Sequence, residues 1–503
     1  MFTYSNIELK YDIIKSVVLK GRIFMADNKK KVSAITSQEE DFAAWYTDVV
    51  REAKLCEYSS VKGCLNYLPN GYAIWENIQK RLDAKFKETG VENVYLPVLI
   101  PESLLQKEKN HIEGFAPEVA LVTRGGGEEL EENFAIRPTS ETLFCDIWKN
   151  MVKSYRDLPL VWNQWNSVFR WEKTTRPFLR SREFLWQEGH TLHATSEEAE
   201  ERTKQMLNVY YDFVTQDLAI PLVVGKKTES EKFAGAEATY TIESMMKDGK
   251  ALQSGTSHFF GHEFPDAFDI KYLDKENKLH SAYETSWGMS TRIIGALIMV
   301  HGDDNGLVLP PRIAPTQVMI VPIAQHKEGV LDFCRDLERR LNKVEIRTKL
   351  DDSEKSPGFK FANQEVLGIP LRLEIGPKEL DEGKIVLVRR DNGEKYTCPI
   401  SEVDTKILDI FIMMQREMYE KARKNLKANI RVAKSIQDII DIDKEHNGFI
   451  KAMWCGSAEC EAKIKEETGY GSRCIPFEQE TICNHCVYCG KDADKMVIFG
   501  KSY

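Results

Sequence analysis

Between Pro101 and about Gly306 β-type runs alternate with helices, and several of the strands are consecutive, with no helical crossover between them. ENFAIR, LPLVWNQWNSVFRWE and SREFLWQEGHTLHAT are dense in aromatic and β-branched residues, as strands are. Consecutive strands without crossovers exclude a Rossmann-type alternation and point to an antiparallel sheet of α+β class. Helices flank these runs. Ser37 with Glu40 three residues on reads as a capping box ahead of Phe42, Trp45, Tyr46, Val49 and Val50 at helical spacing. A second helix spans about Gly71 to Thr89 and stops at Gly90, and VENVYLPVLIP follows as a strand stopped by Pro101. A further helix is capped by Ser196 and carries its acids in the first turn.

At roughly 100–200 residues per domain, the 503 residues imply three or four units. The character changes after LVLPPRIAPTQ. A strand over Gln317–Val321, a helix over Glu328–Leu341, strands VEIRT, PLRLEIG and KIVLVRR, and a helix over Phe359–Leu367 make an α/β unit. A long helix from about Ser401 to Lys427 leads into a Cys-rich end. The expected division is a tail over 1–36 and domains over 37–313, 314–421 and 422–503. Met25 reads as a natural start, because Lys20-Gly21-Arg22 can be encoded by a purine-rich ribosome-binding sequence; residues 1–24 are then upstream sequence, which intact mass would test.

With 42% hydrophobic and 29% charged residues the chain is not disordered, collagen-like or membrane-embedded. Glu8, Asp12 and Lys15 interrupt any secretory leader, and the apolar run Ile293–Val300 is far short of the roughly 20 residues of a bilayer span. A soluble, cytoplasmic protein is expected. The net charge, 69 − 78 = −9, neither shows nor excludes a nucleic-acid partner. Six of the eleven cysteines fall between Cys455 and Cys489, which in a reducing compartment reads as metal binding. Cys455 and Cys460 form one pair and Cys486 and Cys489 a knuckle-type pair; Cys483, Cys474 and His485 are competing ligands.

The richest stretch is FRWEKTTRPFLRSREFLWQEGH. Arg170 and Glu172 lie two apart, as do Arg182 and Phe184, and Trp186, Glu188 and His190 continue the spacing, so each set shares a strand face. The plain alternative is a hairpin with solvated charges. Against it, few purely apolar positions remain, and the surface suits a polyanion held by arginine beside a small zwitterion. In AIRPTSETLF, Thr139 is either a helix cap with Glu141 complementing the dipole, or Glu141 is the counter-charge of an ammonium. In ALQSGTSHFFGHEF, Gln253, Thr256 and His258 surround Gly255, at a strand bulge or at a close ligand approach. SWGMSTRIIGALIMV turns into an apolar helix that starts with Arg292. Gly125-Gly126-Gly127 lacks the Lys-Ser/Thr of a P-loop and reads as a hairpin tip. No nucleophile–base pair is marked, so chemistry driven by position and charge fits better than covalent catalysis.

Taken in order from about Ser37 to Tyr503, these elements resemble the prolyl-tRNA synthetase family, in the archaeal- and eukaryote-like form without the editing insertion. The strand ending in Pro97 is similar to the first class II motif, RWE…FLRSREFLWQEGH to the second, and GMSTR with Arg292 to the third. The resemblance implies a class II antiparallel-sheet catalytic domain, an α/β anticodon-binding domain and a small zinc-bound C-terminal domain. It implies proline–tRNA ligation with ATP and Mg2+. Arg170 and Arg292 would be catalytic. Arg170, Glu172, Phe184, Gln253, Thr256, Ser290 and Arg292 would bind ATP. Thr139, Glu141, Arg170, Trp186, Glu188, His190 and His258 would hold L-proline. Glu365 and Arg372, with Lys395 a weaker candidate, would read the anticodon guanines of proline tRNA. Structural Zn2+ would sit on Cys455, Cys460, Cys486 and Cys489, with Cys483 or Cys474 as possible replacements, and Tyr503 could fold back toward the active site. A homodimer and a separate trans-editing deacylase are the implied partners. The rival expectations are a class II ligase for another small amino acid and a non-catalytic tRNA- or amino-acid-binding paralogue.

Overall fold

Residues 34–107 and 119–503 are described by the structure, a computed structural model, and residues 1–24, read as upstream sequence, lie outside that description. Helix α1 (Phe42–Glu52) buries Trp45, Tyr46, Val49 and Val50 along one stripe. It starts later than the capping-box pattern suggests. Asp41 is the cap, its Oδ1 accepting from the amides of Ala43 at 2.8 Å and Ala44 at 3.0 Å. Ser37 instead donates to Asp304 Oδ2 at 2.9 Å. Ile35 is buried, and Thr36 donates twice to Asp48, so the last two residues read as tail are docked. Helix α2 (Pro69–Glu88) follows.

VENVYLPVLIP is not one strand. It breaks into β1 (Glu92–Asn93) and β2 (Leu99–Pro101), which belong to different sheets. Pro97 has no N–H for a ladder, the Leu96 amide donates to the Gln164 side chain at 3.1 Å, and the Leu96 carbonyl accepts from Arg137 at 2.8 Å. A hairpin, β3 (Ala120–Gly125) and β4 (Glu128–Ile136), completes the small sheet in the order β2-β4-β3, with Gly126 and Gly127 at positive φ in its tip. Helix α3 (Glu141–Met151) comes next.

The expected antiparallel run is β5 (Leu160–Phe169), β6 (Glu183–His193), β7 (Leu222–Lys226), β8 (Ala238–Met245), β9 (Ala251–Gly261) and β10 (Tyr283–Ser290). Helix α4 (Ser196–Asp212) packs against it; its cap is Thr195, not Ser196, because Thr195 has the extended backbone a cap requires and accepts from Glu198 at 3.2 Å. Helix α5 (Arg292–His301) is apolar all round and buried. A second core belongs to a five-stranded sheet of β11 (Val318–Pro322), β12 (Thr348–Leu350), β13 (Leu371–Ile375), β14 (Lys384–Arg389) and β15 (Lys395–Pro399), ordered β12-β11-β13-β14-β15. Helices α6 (Val330–Lys343), α7 (Pro357–Val366) and α8 (Val403–Ala428) accompany it; the expected boundary at 421/422 falls inside α8.

The Cys-rich end adds β16 (Ile430–Val432), α9 (Ile436–Glu445), β17 (Phe449–Trp454), α10 (Ala458–Thr468), β18 (Gly471–Pro476) and β19 (Lys495–Gly500). Its strands continue the antiparallel sheet, giving eleven in the order β16-β17-β19-β18-β7-β8-β9-β10-β6-β5-β1. The join is at Gly225, where a Cβ would lie 2.3 Å from the Ile475 carbonyl oxygen, so any other residue would push β18 away from β7. Among the described residues, no helix is long and apolar enough to cross a membrane.

Candidate active site

Alternation along β6 sends Phe184, Trp186, Glu188 and His190 to one face, and register brings Gln164 and Asn166 of β5 and Ser286, Gly288 and Ser290 of β10 beside them. Thr256 and His258 of β9 lie one strand further, facing Gly288 and Ser286. A cleft of about 180 Å³ opens on this face, and Thr139, Glu141, Arg170, Gln253 and Arg292 also line it. A bulge in the β8/β9 pairing lies beside Ile242 and Glu243, which face Gly255 and Gln253.

One part of the cleft is cationic. Arg170 donates from Nε to the Pro138 carbonyl at 3.1 Å, and its guanidinium lies 5.6 Å from the Phe184 ring and 5.5 Å from the Trp186 ring. Arg292 donates to the Leu179 carbonyl at 3.2 Å. Burial, with Arg170 and Arg180 close by, pushes Arg292 down to about 10, so it stays charged at neutral pH and gains from an entering anion.

Further along β6 the lining is acidic. Glu188 is buried and accepts from Ser140 N (3.1 Å), Ser140 Oγ (2.6 Å), Gln164 (2.8 Å), Asn166 (2.8 Å) and His190 Nε2 (3.3 Å). Burial alone would raise its carboxyl, but the bonds from His190, Ser140 and Asn166 win and hold it below its ordinary value. Burial works against a charge on His190 too, yet Glu188, Glu284 and Glu141 push its pKa up to about 10. Burial and the charge of His190 take His258 down to about 3, leaving it neutral, with Thr239 at 3.0 Å from Nδ1. The Thr139 hydroxyl does not cap α3; it donates to Glu141 at 2.5 Å, and burial raises the Glu141 carboxyl. Removing one carboxylate from such a set strands its donors. Glu188→Ala should therefore destabilise the fold by about 3–5 kcal/mol, read from denaturant unfolding; a loss under about 1 kcal/mol would show that the bonds to Glu188 are not load-carrying.

Glu172 is not in the cleft. It lies in the loop between β5 and β6, 3.8 Å from Arg180, with its carbonyl accepting from Arg182. Glu365 and Arg372 come within 3.6 Å of each other. Arg372 is buried, however, and donates to Gln364 and Glu374 at 3.0 Å each while lying over the Phe361 ring, so the plain picture of an exposed pair does not hold. Cys455, Cys460, Cys486 and Cys489 bring their sulfurs within 4.8 Å of one another. Cys483 donates to the His485 carbonyl and Cys474 is buried within β18. Tyr503 reaches Asp248, at 2.6 Å, and its ring lies under Arg176 at 5.7 Å.

Three families match along the chain: "tRNA synthetase class II core domain (G, H, P, S and T)" over residues 122–301, "Anticodon binding domain" over 317–410, and "Prolyl-tRNA synthetase, C-terminal" over 436–503. The proline–tRNA ligase of Lachnoclostridium phytofermentans is 63% identical over 479 residues, 95% of this chain and all of that one. That of Agathobacter rectalis is 63% identical over 480 residues, with the same coverage. The chain belongs to the proline–tRNA ligase family. Among solved structures, the prolyl-tRNA synthetase from Cryptosporidium parvum complexed with halofuginone and AMPPNP is 40% identical, with a TM-score of 0.90 over 94% of this chain and all of that one.

For a member of the proline–tRNA ligase family, the site contains residues that motif reading passed over. Ser140, Gln164 and Asn166 satisfy Glu188, and Glu231, Phe233 and Thr239 are among the further lining residues. The signal for two of them was present: Asn163, Gln164 and Asn166 interrupt a strand that is otherwise aromatic and aliphatic, and buried polar residues in a central strand are held there by partners.

Proposed function

We propose that this chain activates L-proline with ATP and transfers the prolyl group to the 3′ end of proline tRNA in the cytoplasm. The observation that carries this reading is the juxtaposition, on one sheet face, of a charged arginine pair with a buried glutamate–imidazolium set. A zwitterion matches that pattern, its carboxylate toward Arg170 and its ammonium toward Glu141, with Trp186, Glu188, His190 and His258 around the ring. Phe184 packs on adenine, while Gln253, Thr256, Ser290 and Arg292 bind the nucleotide; Glu172 accepts from the adenine amino group once its loop meets ATP.

The chemistry needs no protein nucleophile. A proline carboxylate oxygen attacks the α-phosphorus and the bond to pyrophosphate breaks. The terminal adenosine hydroxyl of the tRNA then attacks the prolyl carbonyl, releasing AMP. Both reactants of the first step are anions, and Arg170 and Arg292 offset their repulsion inside a partly dehydrated cleft.

Mg2+ accompanies ATP and supplies charge neutralisation of the phosphates. Glu243 fits a single protein contact: Oε1 is taken by Lys227 at 2.7 Å and Thr241 at 2.9 Å, whereas Oε2 is buried without a partner, and Gln253 faces Glu243 across the β8/β9 pair. Zinc also fits. Sulfurs about 2.3 Å from a tetrahedral zinc are about 3.8 Å apart. Cys455–Cys460 and Cys455–Cys489 are each 3.7 Å. An all-thiolate set leaves no open position, so that ion is structural. The working division is a catalytic domain from Ile35 to about residue 313, an anticodon-binding domain from there to the end of α8 at Ala428, and a zinc-binding domain over the remainder. Glu365 would accept from a guanine amino edge, and Arg372 would first have to leave Gln364 and Glu374. A homodimer and a separate deacylase rest on the family likeness.

ATP–pyrophosphate exchange across the amino acids, followed by charging of tRNA transcripts, tests the reading. Proline should dominate. Alanine should exchange at a kcat/KM lower by only about 10–200-fold for each methylene lost, because missing methylenes are worth about 1–3 kcal/mol. Alanyl-tRNA specific for proline should then survive incubation with the chain. Robust hydrolysis would contradict the absence of editing, and exchange with an amino acid other than proline as the best substrate would overturn the reading.

A further inference from the structure

Behind the cleft lining lies a residue that no motif includes. Glu284, near the start of β10, is wholly buried, and Cys145 of α3 donates to its Oε2 at 3.3 Å. Its Oε1 faces Nδ1 of His190 at 3.6 Å. Both atoms of that facing pair are buried without a hydrogen bond. Nε2, the other nitrogen of His190, is engaged by Glu188, and the ring stacks on Phe144 with centroids 4.2 Å apart. The ring is thus held at Nε2 and on one face, with Nδ1 left toward Glu284. A shift of about 0.5 Å converts the gap into an ordinary N–H···O bond.

We propose that Glu284 is a positioning residue for proline recognition. It closes on His190 Nδ1 when proline fills the cleft, fixing the ring as an imidazolium at the floor of the pocket. The proposal rests on reading the cleft as a proline site. Glu284 does not line the cleft, so it acts through His190 and not on the substrate.

The charged groups that face His190 come from each element packed around it. They are Glu188 on its own strand, Glu284 on β10 and Glu141 on α3, with neutral His258 on β9 and the Cys145 thiol behind Glu284. Two of these carboxylates bear directly on the ring nitrogens. Taking the charge from Glu284 removes one of them and lowers the pH at which His190 loses its proton. Proline binding that depends on the imidazolium is then retained at low pH and lost as pH rises through the lowered value. In the intact protein that loss lies near the upper end of the accessible range, because His190 stands at about 10.

The test is proline-dependent ATP–pyrophosphate exchange between pH 6 and 9. Glu284→Gln keeps the shape and removes the charge. It should raise the KM for proline at least about tenfold at pH 8, with KM for ATP and kcat within about threefold, and make the proline KM climb with pH where that of the parent is flat. Glu284→Asp, which keeps the charge but shortens the reach, should restore the flat profile while the proline KM stays raised; it also serves if the glutamine variant fails to fold. An unchanged proline KM and pH profile in both variants overturns the proposal, as does an equal rise in the KM for ATP and for proline. Trp186→Ala, measured alongside, separates the two levels. If it leaves the proline KM untouched, the cleft is not the proline site; if it raises that KM while the Glu284 variants do not, only the role of Glu284 falls.

Discussion

Arg170→Ala eliminates proline-dependent ATP–pyrophosphate exchange, lowering kcat at least about 10³-fold, the upper range for removing one preorganised donor to a developing charge. The expectation is at that upper end because, in the proposed reading, Arg170 would serve both reactants, meeting the carboxylate that attacks and the phosphate that is attacked. The side chain is already oriented, held by the Pro138 carbonyl at 3.1 Å and lying over the Phe184 and Trp186 rings, so little of its interaction energy is spent on ordering. Arg170→Lys should recover little, since a point charge cannot reproduce the planar fork. Arg292→Ala should lower exchange comparably, and the double variant should be barely worse than either single one, as expected of groups acting on one transition state. Near-normal exchange by Arg170→Ala, with the protein folded, would remove the central role assigned to it.

The same stretch shows how far local sequence reaches. Period-two spacing placed Trp186, Glu188 and His190 on one face because those residues are in a strand, where side chains alternate. Applied to Arg170 and Glu172 the rule had no strand to act on: residues 170–182 form a loop, and Glu172 turns to Arg180 instead of the cleft. The place of Gln164, Asn166 and Glu284 in the site was not legible for another reason, although the polar interruption of β5 marks the first two as partnered. They join the site through register, β5 and β10 flanking β6, and nothing in a strand's own residues states which neighbour it will meet. Caps shifted for a third reason, competition: Ser37 fits a capping box but bonds to Asp304, 267 residues away, while Asp41 takes the cap. The pairing of β18 with β7 depends on Gly225 admitting a strand from the far end of the chain, a contact that pattern reading has no means to anticipate.

That pairing gives loss of the proposed zinc a wide effect. Protein purified without chelator should carry about one zinc per chain, and Cys486→Ser or Cys489→Ser should abolish it. Cys483→Ser and Cys474→Ser should leave the metal in place, since Cys483 is turned to the His485 carbonyl and Cys474 is buried in β18. A zinc on the four cysteines would tie the end of β17 and the first turn of α10 to the segment before β19, where the Val487 amide donates to the Met453 carbonyl at 2.9 Å. Structural zinc sites contribute about 10–16 kcal/mol in isolated fingers, so even a fraction of that exceeds what a small domain can lose and stay folded. Heating a ligand variant should therefore show a separate, lower transition for the segment from β16 to Tyr503, and hydrogen exchange there should rise before it rises in β8 and β9. Because β18 is paired with β7, which is paired with β8, exchange protection in β7 should fall next. If Cys483→Ser strips zinc as fully as Cys489→Ser, the ligand set is wrong; if both variants keep a single transition at the parent's temperature, the metal does not hold this end of the sheet together.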